Sequence, residues 1–108
     1  KSNIVIDPGI GFGKTMSDNL NILEYLPLLH GLGVPILIGV SRKSLIEELT
    51  IKDFKSRGKN KKLIKPSKRL SGSLAFAIHA NMCGVQIIRT HDVFDTNQAL
   101  ICQKSINL

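Results

Sequence analysis

Side chains capable of chemistry gather at three places in this sequence, and each follows an apolar run. Ile4-Val5-Ile6 leads into Asp7-Pro8-Gly9, Ile36-Leu37-Ile38-Gly39-Val40 into Ser41-Arg42-Lys43-Ser44, and Val85-Gln86-Ile87-Ile88 into Arg89-Thr90-His91-Asp92. A carboxylate at a strand end, such as Asp7, accepts two hydrogen bonds from an amidine-like edge, N–H beside NH2, of the kind a guanine or pterin ring presents. Its plainer role is turn formation, for which Asp-Pro-Gly is well suited. Lys43 can reach the ring or the charge of a bound ligand. Ser44 opens a helix, where free N–H groups and the macrodipole favour an anion such as a carboxylate; the plain alternative is a cap flanked by two solvated cations. Arg89 and His91 alternate along a strand end and therefore point the same way. Arg supplies a bidentate fork and His a second donor, which suits phosphate or diphosphate. Thr90 and Asp92 then face the surrounding helices.

The loop Gly9-Ile10-Gly11-Phe12-Gly13-Lys14-Thr15 invites two readings that fail on register. A Walker A loop requires glycine where Pro8 stands, and a dinucleotide-binding fingerprint requires it where Lys14 stands. What remains is a strand-to-helix turn in which glycines supply positive φ. It also lets backbone approach a ligand closely while the face of Phe12 stays available. His79, in an alanine-rich helical segment, reads as packing or surface, and His30 as a charge partner near a helix end.

The elements that must position these residues alternate. A strand over 3–7 precedes the glycine loop, and Ser17 or Asp18 caps a helix whose Leu20, Leu23 and Leu26 turn inward. Pro27 ends that helix but can begin a short turn, closed by Gly31 and Gly33. A second strand spans 35–40, and a helix follows from Ser44 until the basic loop at 52–69. Another helix runs from Ser71 or Ser73 to Cys83, with Gly84 as its C-terminal cap. The third strand covers 85–90, and Asp95 or Thr96 caps a last helix reaching Lys104. Strands rich in Ile and Val without polar alternation indicate a parallel sheet buried on both faces. Parallel strands joined by helices place their C-terminal ends on one side, so the three polar clusters should converge there. In barrel or doubly wound α/β folds that side holds the active site.

About three βα units in series, without a dinucleotide fingerprint, favour the C-terminal portion of a (β/α)8 barrel, which when complete needs about 250 residues. The expected organisation is one partial barrel domain over 1–108, since a sheet of three such strands alone would leave apolar edges and faces uncovered. The net charge of +7 lies almost wholly in 52–69, where nine Lys or Arg meet only Asp53. With Gly58, Asn60 and Pro66 interspersed, that stretch reads as a solvated loop. No aromatic pattern is interleaved with it for base stacking, which argues against a nucleic-acid partner. No run approaches the roughly 20 apolar residues of a membrane span, and no signal peptide is visible. Cys83 and Cys102 read as reduced thiols of a cytoplasmic protein.

DPGIGFGKT, GVSRKS, RLSGSLA and IIRTHDV, in this order and spacing, resemble the C-terminal part of dihydropteroate synthase. The resemblance covers nearly the whole chain, the basic loop being its least constrained part. It implies a pterin-binding TIM barrel that condenses 6-hydroxymethyl-7,8-dihydropterin diphosphate with 4-aminobenzoate, giving dihydropteroate and diphosphate for folate synthesis. Carried over, it implies that Asp7, Gly39, Lys43 and Arg89 form the pterin site, with Gly39 leaving room at the floor. Phe12, Lys43 and Ser44 would receive aminobenzoate, and Arg89 with His91 would hold diphosphate; Lys43, Arg89 and His91 are the catalytic set. The resemblance also implies Mg2+, with no ligand in this chain, because the Asn that helps hold the magnesium diphosphate belongs to N-terminal strands. Implied partners are the two substrates, a separately encoded N-terminal barrel half where one exists, and a second copy in a homodimer of the full enzyme. The chain alone is expected to bind pterin weakly and to lack turnover. The alternatives are a pterin-binding domain of the pterin-dependent methyltransferase type, which has no use for Ser44 as a carboxylate receiver, and a non-catalytic remnant.

Overall fold

The computed structural model describes residues 4–11, 13–59 and 63–106. Its helices are α1 (Met16–Glu24), α2 (Ser44–Ser56), α3 (Leu70–Met82) and α4 (Val93–Ile106), and its strands are β1 (Leu37–Ile38) and β2 (Ile87–Ile88). Short 3-10 turns lie at Leu26–Leu32 and Pro66–Lys68.

Three extended segments lie side by side in chain order, all parallel. Ile6 bridges to Ile36, while Leu37 pairs with Ile87 and Ile38 with Ile88. The ladder begins with Ile6 N–H donating to the Pro35 carbonyl at 2.9 Å and closes with Arg89 N–H donating to the Ile38 carbonyl at 2.9 Å. The strands are shorter than the apolar runs that announce them. Of the segment expected as a strand over 3–7, Asn3 lies outside the described residues, and among the rest a bridge forms at Ile6, with Ile4 and Val5 about half exposed. A strand element extends only where a neighbour supplies ladder partners, and this segment has one on one side alone.

The alternation of the middle strand sets two faces. Ile36, Ile38 and Val40 are buried against Ile10, Leu23, Leu26, Leu45, Ala80 and Val85, forming the core beneath the helices. Leu37, Gly39 and Ser41 occupy the other phase, beside Ile87 and Arg89 of the neighbouring strand. The helices leave that face uncovered, and Ile87 there remains 39% exposed.

Local signals explain most helix boundaries, with corrections. The first helix is capped by Thr15 rather than Ser17 or Asp18: Thr15 Oγ1 accepts the Asp18 N–H at 3.1 Å, and Asp18 Oδ2 accepts the Thr15 N–H at 3.3 Å. That reciprocal pair satisfies two otherwise orphan donors. The last helix starts at Val93, before Asp95 and Thr96, with Thr96 N–H donating to the Asp92 carbonyl at 2.9 Å. The basic stretch is not a loop throughout. Helix α2 continues to Ser56, where Asp53 pairs with Arg57 one turn on at 2.7 Å, and Arg69 is buried at 8% exposure. Lys and Arg are good helix formers, so a charge run with few turn residues continues a helix until Gly58.

Candidate functional site

The ends of β1 and β2 open into one recess of about 220 Å³, lined by Gly39, Ser41, Lys43, Arg89, Thr90 and His91. Three larger hollows are present among the described residues: those of about 400 and 450 Å³ lie against helix faces, lined in turn by Met16, Glu47 and Lys55 and by Leu20, Phe76 and His79, and one of about 270 Å³ lies between β2 and α4, lined by Ile88, Thr90 and Thr96. The parallel register accounts for the recess. Gly39 lies two residues beyond Leu37 and Arg89 two beyond its partner Ile87, so both fall on the uncovered face.

Arg89 lies across Gly39. A Cβ built on that glycine would sit 2.5 Å from Arg89 Nη2 and 2.9 Å from Cζ, so the guanidinium occupies the space any larger side chain would need. The Arg89 Nη1 also approaches Asp7 Oδ2 at 3.4 Å, joining the outermost segment to β2 across the mouth of β1. Both side chains are more than a third exposed, a setting in which such pairs contribute about 0–1 kcal/mol. The other Asp7 oxygen accepts the Gly9 N–H at 2.8 Å, so Asp7 forms a turn and faces Arg89 at once.

Lys43 ends the loop after β1 as the N-cap residue of α2, with φ −69° and ψ 154° and no side-chain cap on the helix. Its stem runs beside the glycine loop: a Cβ on Gly11 would lie 3.3 Å from Lys43 Cδ. Lys14 Nζ donates to the Gly9 carbonyl at 3.2 Å in the same loop. Ser44 is the first residue of α2 and exposed, outside the recess proper. Phe12 lies outside the described residues.

Several residues that carry the site stood in the three polar clusters but were given no role at the site from the sequence. Ser41, 7% exposed, holds His91 twice: its Oγ accepts the His91 N–H at 3.0 Å and lies 2.9 Å from Nδ1. Thr90, expected to face the helices, does reach Thr96 of α4 at 3.1 Å, yet it also borders the recess and donates to Ser41 Oγ at 3.4 Å. Arg42 is not a solvated cation. Its Nε and Nη2 grip the two oxygens of Asp92 at 3.1 and 2.5 Å, its N–H donates to Ser73 Oγ at 2.7 Å, and its carbonyl accepts from Arg69 at 2.9 Å. Arg42 holds φ at +54°, a left-handed backbone that is rare outside glycine and recurs at functional turns. Its guanidinium, through hydrogen bonding first, holds the Asp92 carboxyl below the ordinary carboxylate range, and Asp92 raises Arg42 in return.

Asn19 is buried at 2% exposure and accepts the Gly11 N–H at 2.9 Å, anchoring the glycine loop to α1. A signal for it existed: Asn19 shares the inward stripe of Leu23 and Leu26, where a polar residue needs an internal partner. His79 lies 2.6 Å from the Leu23 carbonyl, in keeping with a packing role, and His30, in the last turn of its 3-10 helix, lies 2.7 Å from the carbonyl of Cys83, the C-cap residue of α3.

The family model for pterin binding enzyme matches residues 1–91. The chain belongs to this family. As a pterin binding enzyme sequence it is 43% identical to the dihydropteroate synthase of Escherichia coli (strain K12) over 100 residues, 93% of this chain and 31% of that protein. Among solved structures, the dihydropteroate synthase of Yersinia pestis superposes with a TM-score of 0.83 at 36% identity, covering 99% of this chain and 45% of the other. The Xanthomonas albilineans dihydropteroate synthase in complex with 7,8-dihydropteroate gives a TM-score of 0.80 at 41% identity, over 95% of this chain and 36% of the other. The chain thus spans about a third of the length of the curated relatives it matches. Within this family member, the motifs DPGIGFGKT, GVSRKS and IIRTHDV lie at the three segment ends that meet, and RLSGSLA braces the middle one through Arg69 and Ser73.

Proposed function

We propose that this chain is the C-terminal portion of a (β/α)8-barrel dihydropteroate synthase, supplying the aminobenzoate and diphosphate contacts and one side of the pterin site. The observation that carries this reading is the guanidinium of Arg89 lying over Gly39 in a recess shared with Lys43 and His91. A flat cation without a side chain beneath it is suited to stacking on a heteroaromatic ring while its edges donate to phosphate oxygens. The similar Xanthomonas albilineans enzyme was solved with 7,8-dihydropteroate, which combines the ring and the aminobenzoate.

Asp7 receives the N–H and NH2 edge of the pterin, exchanging its contact with Arg89 for the ligand's donors. Lys43 donates to the pterin ring and its stem flanks the aminobenzoate, to which the resemblance also assigns Phe12. Ser44 and the first turn of α2, which has no side-chain cap, receive the aminobenzoate carboxylate. The aminobenzoate nitrogen forms a bond to the pterin methylene carbon as the carbon–oxygen bond to diphosphate breaks. The nitrogen then loses its proton to solvent. Arg89 and His91 meet the charge that develops on the departing oxygens. No nucleophile of the protein takes part.

Among the described residues no group of three or more His, Cys, Asp or Glu converges to hold a metal ion. The resemblance to dihydropteroate synthase assigns the magnesium that accompanies diphosphate to residues of the N-terminal strands, and no step here runs through it. Ile4, Val5 and Ile87, exposed on the outer two segments, are where those N-terminal strands would complete the barrel. The complete enzyme is read as cytoplasmic and as a homodimer. No helix among the described residues is long and apolar enough to cross a membrane.

The test is dihydropteroate formation from pterin diphosphate, aminobenzoate and magnesium, with the chain alone and after mixing with an N-terminal barrel half. Product on mixing only is the expected result. A folded complex without product would leave a pterin-binding remnant.

A further inference from the structure

Three hydroxyls and one imidazole form a connected set at the end of β2. Ser41 Oγ has one hydrogen and two lone pairs. One lone pair accepts the backbone N–H of His91 at 3.0 Å, and the Thr90 hydroxyl donates to the other at 3.4 Å. Thr90 Oγ1 itself accepts the Asp92 N–H at 3.0 Å and meets Thr96 Oγ1 at 3.1 Å. The one atom of Ser41 still to be placed is its hydrogen, and the acceptor within reach is His91 Nδ1 at 2.9 Å.

From this arrangement we infer that Ser41 is a positioning residue that fixes the tautomer of His91: the Ser41 hydroxyl donates to Nδ1, so the neutral imidazole carries its proton on Nε2. The two nitrogens lie on opposite sides of the ring, so Nε2–H is held away from Ser41 as a donor while His91 lines the recess. A neutral histidine in the other tautomer would present a lone pair there and repel an anion. Ser41 is buried at the end of β1, so its hydroxyl position is set by the backbone and not by solvent. The tautomer assignment stands on geometry alone; its use, donation to the oxygens of a departing diphosphate, rests on the function proposed above.

The experiment is long-range nitrogen–proton correlation on the uniformly nitrogen-labelled chain at about pH 8.5, above the ordinary titration range of histidine near about 6.5. The side-chain nitrogens of His91 should show the Nε2–H pattern as the dominant form. Ser41→Ala should shift that pattern toward a mixture, and Ser41→Thr, which keeps the hydroxyl, should restore it. A wild-type His91 that carries its proton on Nδ1 overturns the inference. So does a folded Ser41→Ala variant with an unchanged tautomer. Should Ser41→Ala not fold, Thr90→Val tests the same set: without the Thr90 donor, Nδ1–H can donate to Ser41, and the Nε2–H population should fall. An unchanged population in Thr90→Val also overturns it. Because no substrate is present, this outcome is independent of dihydropteroate formation, and either reading can fail while the other stands.

Discussion

Arg42 and Asp92 tie together the two loops that carry Lys43 and His91. The guanidinium meets both carboxylate oxygens, Nε to Oδ2 at 3.1 Å and Nη2 to Oδ1 at 2.5 Å, with Asp92 only 11% exposed. Two parallel charge-assisted bonds fix orientation as well as distance. Lys43 follows Arg42 and His91 precedes Asp92, so the pair sets the separation of the two functional side chains from outside the recess.

This pair makes stability depend on acid in a defined direction. Arg42 lowers the Asp92 carboxyl below its ordinary value, chiefly by hydrogen bonding and then by its charge. A depressed folded value means a contribution fully present above the unfolded carboxylate range near about 3.9 and lost as pH falls through the folded value. Thermal unfolding followed by circular dichroism should therefore show a larger fall in Tm on acidification for the native chain than for Asp92→Asn. Equal falls would mean that the pair is not linked to folding.

Substitution of Gly39 should separate folding from binding. In Gly39→Ala the atoms nearest the new Cβ all belong to the Arg89 guanidinium, the far end of a flexible side chain that can swing aside. Stability should change by less than about 1 kcal/mol, while Arg89 loses its position over the recess. Affinity for dihydropteroate, measured by calorimetry on the completed enzyme, should fall about tenfold or more, equivalent to about 1.4 kcal/mol.

Arg69 acts as a brace. It is buried, donates from Nε to the Ile64 carbonyl at 2.8 Å and from Nη1 to the Arg42 carbonyl at 2.9 Å, and lies 3.4 Å from Glu47, which accepts the Ile64 N–H at 2.7 Å. Arg69→Ala leaves two carbonyls without their donor and Glu47 without its cation, with only the Ile64 N–H still bonded to it, at a cost of about 3 kcal/mol. Urea unfolding should show the midpoint falling with little change in slope. Arg69→Lys should not recover it, because one ammonium cannot span three acceptors in the plane a guanidinium covers.

Asn19 can be tested through the loop it holds. In Asn19→Ala the Gly11 N–H loses its acceptor, a loss of about 2 kcal/mol where no water takes its place. Amide hydrogen exchange at Gly11 should accelerate while that of the α3 core amides follows global stability. Unchanged exchange at Gly11 would show that the loop is held by its other contacts.

Much of the site's layout was legible in the chain itself. Apolar β runs ending in polar residues, separated by helices, imply parallel strands whose C-terminal ends meet, because a parallel connection must cross over through a helix. Strand alternation alone put Arg89 and His91 on one side, whereas Gly39 came only from the family resemblance. What only the tertiary structure decided is which polar groups pair. Arg42 and Asp92 lie 50 residues apart, as do Ser41 and His91, and Arg69 reaches Arg42 across 27. Local patterns in sequence record periodicity and capping, which act within a few residues. A buried guanidinium or hydroxyl finds its partner only when crossover helices bring two loops into register, so Arg42, Ser41 and Arg69 read as ordinary polar residues until the fold supplies the groups they satisfy.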